Sequence, residues 1–147
     1  MPTTIPALPV VFRPNRTRAV LLAVGAVMVT VIVAVAVILE RLSLGERISF
    51  VFTALLFAGA LWVLSRPKVV ADEEGVTVVN FTRVRRLAWA EILRVNLRPG
   101  DPWVFLDLSD GTSQPVLGIQ PGIARERAIQ DARALKALVE SRGAARP

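Results

Sequence analysis

From Ala19 to Leu39 the chain reads AVLLAVGAVMVTVIVAVAVIL, 21 residues without a charge and with Thr30 as the one polar side chain. At about 1.5 Å per residue, a helix of this length covers roughly 30 Å, the thickness of a bilayer's hydrocarbon core. Its many β-branched residues favour a strand in water, but in lipid a segment must satisfy its own backbone groups, which selects the helix. A cleaved signal peptide is the rival reading, because Arg13, Arg16 and Arg18 precede the run. The run exceeds a signal core of roughly 7–15 residues and leads into ILERLSLGER without a small-x-small site, so a spanning helix is expected.

A second apolar run, ISFVFTALLFAGALWVL, extends from Ile48 to Leu64, with Trp62 near its end and Arg66 and Lys68 just beyond. It is short for a span but within range, and a buried core helix is the alternative. Because only Glu40 to Arg47 separate the runs, two antiparallel helices should form a hairpin. Gly25 and Ala58-Gly59-Ala60 offer small faces for contact between them. Neither run holds an ionisable residue, which argues against an ion or proton path through the hairpin. Arg13, Arg16 and Arg18 on one flank and Arg66 and Lys68 on the other outweigh Arg41 and Arg47 in the loop. The positive-inside bias then places both termini in the cytoplasm, as a two-span protein of the cell membrane.

The net charge of +6 weakens as a nucleic-acid signal once located. Half of it sits in Arg13, Arg16 and Arg18 beside the first span, where topology explains it. The chain has no Cys, His or Tyr, which removes disulfides, thiolate and imidazole chemistry and the commonest metal ligands. No Gly-rich phosphate cradle occurs. Asp72, Glu73 and Glu74 lack the spacing of a calcium loop and read as a solvated turn. No catalysis, metal or cofactor is expected.

After Arg66 the pattern changes to period two. KVVAD and GVTVVNF read as strands joined by a turn at Gly75, followed by RVRRLAW and ILRVNLR. In the last of these, Leu93, Val95 and Leu97 alternate with Arg94, Asn96 and Arg98, which assigns the first set to a core and the second to water. PGDP at 99–102 forces a turn. Asp110-Gly111 between two apolar stretches is the strongest hairpin signal in the chain. That makes six strands. From Ala124 to Gly143 the period becomes helical. Ala128, Ala132, Leu135 and Val139, widened by Ile129 and Leu138, form an apolar stripe opposite Arg125, Arg127, Asp131, Arg133 and Lys136, and Gly143 is the expected stop.

The expected fold is α+β: a two-helix transmembrane hairpin followed by a PH-like β-sandwich or barrel of six or seven antiparallel strands with a C-terminal amphipathic helix. The corresponding division is an N-terminal segment 1–18, a hairpin 19–65 (spans 19–39 and 48–64), a PH-like domain 66–141 and a tail 142–147. Residues 66–141 resemble the bacterial PH-like domain family of small actinobacterial membrane proteins, which includes a low-molecular-weight culture-filtrate antigen. The resemblance rests on Asp72 and Gly75 in ADEEGV, Trp89 and Ile92 in WAEI, Asp110-Gly111 and the closing helix. A complete PH-like barrel has seven strands, so it implies one more than the six counted.

Trp89, Ile92, Leu106 and Leu135 are the core residues this fold implies, with Trp89 plugging the barrel and Glu91 capping a turn or pairing with an arginine. Trp103 fits either a strand-start core position or an aromatic facing the membrane. If the strands carrying Arg83, Arg85 and Arg86 and those carrying Arg94 and Arg98 pair, the five guanidiniums share one surface. That surface would bind anionic lipid or a protein partner, against a bland alternative of a solvated, ion-paired face. Three readings follow: a membrane-anchored binding or scaffolding module with a protein partner, a reader of anionic lipid, or an exported antigen-like protein. Membrane lipids are the expected surroundings of the two helices, nucleic acid is not an expected partner, and oligomeric state has no sequence signature here.

Overall fold

The computed structural model describes residues 4–144. It divides into two compact units, one of Arg16–Arg66 and one that joins the N-terminal segment to everything after Pro67.

The first unit is a pair of long apolar helices, α1 (Asn15–Ile38) and α2 (Leu44–Leu64). Both begin earlier than the apolar runs predict. The start of α2 is dictated by a capping box. The Ser43 hydroxyl accepts the Glu46 N–H while the Glu46 carboxylate accepts the Ser43 N–H, satisfying two N-terminal donors reciprocally. Arg47 donates back to the carbonyls of Leu39 and Leu42, in the connection that follows α1. Gly25, Ala36 and Ala54 are the residues buried along the two helices, and an added Cβ at Gly25 would lie 3.4 Å from Leu61 Cδ1. Gly59 and Ala60, two of the small residues expected at the contact, are exposed. Small residues let the backbones approach only where they face inward, and composition does not reveal which face that is.

The second unit carries the sheets. Sheet A has the order β1-β2-β3-β4, with β1 at Val10–Phe12, β2 at Lys68–Ala71, β3 at Gly75–Asn80 and β4 at Arg83–Ala88. Sheet B has the order β5-β6-β7, with β5 at Ile92–Asn96, β6 at Val104–Leu108 and β7 at Ser113–Val116. All pairings are antiparallel. The six strands after the helices are those the sequence pattern predicts. The seventh lies before the helices: Val10, Val11 and Phe12 pair with Ala71, Val70 and Val69. Three residues are too few to show a period, and the segment was expected to stand apart from the domain.

Alternation explains most of the core. Val104, Leu106 and Leu108 face inward along β6 while Phe105 and Asp107 face out. Val69 and Ala71 do the same in β2, and Phe12 adds an aromatic from β1. The helix α3 (Arg125–Ala144) lays Ala128, Ala132, Leu135, Leu138 and Val139 against this core, packing across β5 and a 3-10 turn at Trp89–Glu91. It runs through Gly143 rather than stopping there, and Arg142 pairs with Glu73 at 2.6 Å. Residues 145–147 of the expected tail lie outside the described residues, as do residues 1–3.

Two glycines are required by close approach. A Cβ on Gly75 would meet the Leu87 carbonyl oxygen at 2.1 Å, and one on Gly118 would meet the Lys68 backbone at 2.7 Å. Beside Gly118, Asn80 ties the sheets together. Its amide donates to the Pro115 carbonyl at 2.7 Å and its oxygen accepts the Leu117 N–H at 3.1 Å.

Candidate functional site

Turn chemistry at the β2–β3 connection sets the state of the β4 arginines. The Asp72 carboxylate accepts the N–H groups of Glu74 and Gly75, which closes the turn. It also accepts two bonds from the Arg86 guanidinium at 3.0 and 3.1 Å, and Arg86 reaches Glu74 at 3.0 Å and Thr77 at 3.1 Å. The Arg86 bonds hold Asp72 below the usual carboxylate range, helped by the two backbone donors, and Asp72 in turn raises Arg86. Above the same turn, Trp89 is 7% exposed and its indole N–H donates to the Asp72 carbonyl at 3.0 Å. Glu91 accepts the Ala88 N–H at 2.7 Å, which closes the 3-10 turn.

Arg85 is also engaged, donating to Gln114 at 3.1 Å and lying 3.7 Å from Asp110. Asp110 caps the β6–β7 hairpin through the Thr112 hydroxyl and N–H, with Gly111 at φ +83°, and those bonds, with Arg85, lower its pKa. Arg83 remains, lining a cleft between β4 and β7. The five arginines expected on one surface are therefore divided. Among the described residues β4 pairs only with β3 and β5 only with β6, and the turn at Trp89 carries the chain from one sheet to the other.

The second half of the expected set gains different neighbours. A β-bulge between Ile92 and Arg94 puts two residues of β5 opposite one of β6. The bulge breaks the predicted alternation: Ile92 and Val95 are buried, and Leu93 is 64% exposed beside Arg94. From there a groove runs between β5 and α3. Its larger part is a cleft of about 540 Å³ with Val95, Leu97, Ile129 and Ala132 as floor and Arg98, Arg125, Arg133 and Lys136 at the rim. A smaller cleft of about 260 Å³ shares Val95 and Lys136 with it and adds Leu93 and Arg94.

The groove holds five cations and two carboxylates, Asp101 and Glu140. Asp101 is occupied by the Arg98 N–H at 2.8 Å, and Glu140 lies 3.9 Å from Lys136. Among the described residues no carboxylate lies within ion-pairing distance of Arg94, Arg98, Arg125 or Arg133. Sequence reasoning assigned Arg125, Arg133 and Lys136 to a solvated helix face and so missed them. Their spacing of eight and then three residues, one flank of a helix, was the available signal.

Among the other residues singled out, Ile92, Leu106 and Leu135 are buried in the shared core, and Gly75 is buried at the start of β3. Trp103 is half-buried, its ring 6.4 Å from Phe105, and its indole N–H has no hydrogen-bond partner among the described residues. Among the described residues no three Asp or Glu side chains gather as metal ligands would.

Residues 66–138 match the model of a bacterial PH domain family. β1 falls outside the matched stretch. Uncharacterized proteins of Mycobacterium tuberculosis and Mycobacterium bovis are 29% identical over 84 residues, which is 57% of this chain and 54% of theirs. The chain thus spans about half the length of the curated relatives it matches. No solved structure matches it. With two antiparallel sheets closed by a C-terminal helix and the family match over the same residues, the segment 66–138 belongs to the bacterial PH domain family.

Proposed function

We propose that this protein is a non-catalytic binding module that two transmembrane helices hold at the cytoplasmic face of the cell membrane, and that it docks a protein partner in the groove between β5 and α3. The membrane part is supported by the helices themselves. They are long and apolar enough to cross a bilayer, and only 11% and 6% of their most apolar windows are buried, unlike the core helices of a water-soluble fold. Same-side exit of the hairpin's two ends is supported by the pairing of β1 with β2, which needs Phe12 and Val69 in one compartment.

The groove is the observation that carries the binding role: an apolar floor, a basic rim on which Arg98, Arg125 and Arg133 have no carboxylate partner among the described residues, and an adjacent strand edge. The lipid reading loses support, because Arg85 and Arg86 are already paired and the strands β4 and β5, whose pairing would have joined the five arginines, lie in different sheets. The test is site-specific photocrosslinking in the full-length protein within its own membrane, with a photoreactive residue replacing Ile129 in the groove or Val84 on β4. Protein adducts are expected from Ile129. Lipid adducts alone at that position would sink the docking role.

A further inference from the structure

β5 is an edge strand. Its inner side pairs with β6 through Arg94, Val95 and Asn96, and among the described residues no strand pairs with its outer side. The groove therefore offers unpaired main-chain groups along the β5 wall, with Arg94 and Arg98 beside them, and the cations Arg125, Arg133 and Lys136 along the α3 wall. A helix brings its own backbone already satisfied and has no use for such a wall, whereas an extended chain needs it. Apolar residues form the floor, so an occupant with side chains of alternating character buries one set and turns the other toward Arg98, Arg125 and Arg133. Among the described residues those guanidiniums have no carboxylate counterion, and complementary charge on the occupant supplies one.

Resting on the docking role above, we infer that the groove takes a short acidic segment of a partner protein in extended conformation. The segment adds as a strand to the outer edge of β5, with apolar side chains on Val95, Leu97 and Ile129 and carboxylates against the arginines of the rim. The bulge at Leu93 confines regular pairing to Arg94–Asn96, so only a few residues of the partner join the sheet and charge supplies the rest of the specificity.

The experiment uses the full chain in nanodiscs of phosphatidylcholine. Three capped peptides serve as probes: one alternating Asp and Val, one alternating Lys and Val, and an Asp/Val version with every second amide N-methylated. Only the first should bind. Arg98→Glu combined with Arg133→Glu should weaken it about tenfold or more, Arg98→Lys with Arg133→Lys should retain most of the binding, and Arg83→Glu should leave it unchanged. Both rim positions are exposed, and unchanged thermal unfolding of each variant checks the fold. Equal binding of the N-methylated peptide overturns strand addition. Binding that survives rim reversal but is lost in Arg83→Glu, or is replaced by retention of phosphatidylglycerol vesicles, overturns the site. If no peptide binds while Ile129 still crosslinks to protein, the acidic-strand assignment fails and the docking role stands; loss of both removes the docking role itself.

Discussion

Asn80 does with one side chain what a ladder of main-chain bonds does elsewhere, since it supplies a donor to Pro115 and an acceptor to Leu117 between sheets that do not otherwise pair there. Asn80→Ala strips the buried Leu117 N–H of its acceptor and takes one of two side-chain donors from the Pro115 carbonyl, which keeps Gln114, and a loss of about 1–3 kcal/mol is expected in chemical unfolding of the full chain in detergent. Gly75→Ala should cost more than Gly111→Ala, because a methyl at 75 drives into the Leu87 carbonyl whereas 111 is open and only its backbone angle suffers. Acid separates two aspartates. Asp72, depressed by Arg86, stabilises the fold above the unfolded carboxylate value of about 3.9 and loses this as pH falls through its lower folded value. Asp131 is raised by burial, so its charge opposes folding at neutral pH and the penalty lifts as pH falls through its folded value. Unfolding midpoints should therefore drop for Asp72→Asn and hold or rise for Asp131→Asn at pH 7, with both differences shrinking well below the carboxylate range.

The strands after the two apolar helices could be read in order because each is long enough to show a period or is bounded by Gly, Pro or Asp-Gly. β1 could not, because Val10–Phe12 is stabilised by β2 and the core rather than by anything local. Leu93 was misplaced for a related reason: a bulge shifts the period without leaving a mark in composition. The groove was half visible. Arg94 and Arg98 stood out as cations on a strand, whereas Arg125, Arg133 and Lys136 look like any solvated helix flank until β5 is set beside them. Removing residues 4–12 should leave the β2 edge unpaired. Amide exchange at Lys68–Ala71 should then rise sharply while β6, inside the other sheet, keeps most of its protection; unchanged exchange in β2 would show that β1 contributes no pairing.

The absence of native cysteine allows single reporters to map the chain across a membrane. Thr4→Cys and Ser141→Cys should react with an impermeant maleimide only after inside-facing vesicles are opened to the cytoplasmic side, and Glu40→Cys only from the opposite side; labelling of Thr4→Cys and Ser141→Cys from different sides is incompatible with the β1–β2 pairing. A fragment starting at Pro67 lacks Phe12 and the whole of β1, so it is not a faithful stand-in for the domain, even though the family match begins at 66. The split also orders events in time. During synthesis β1 leaves the ribosome first, and the chain between Phe12 and Lys68 takes several seconds to follow at about 5–20 residues per second. Throughout that interval Val10-Val11-Phe12 lacks its β2 partner, and it gains it only where β2 emerges on the same side as β1. Under the proposed two-span topology the finished sheet is then a record of insertion: a chain whose first helix crosses the bilayer and whose second does not leaves β1 and β2 on opposite sides and the β2 edge open.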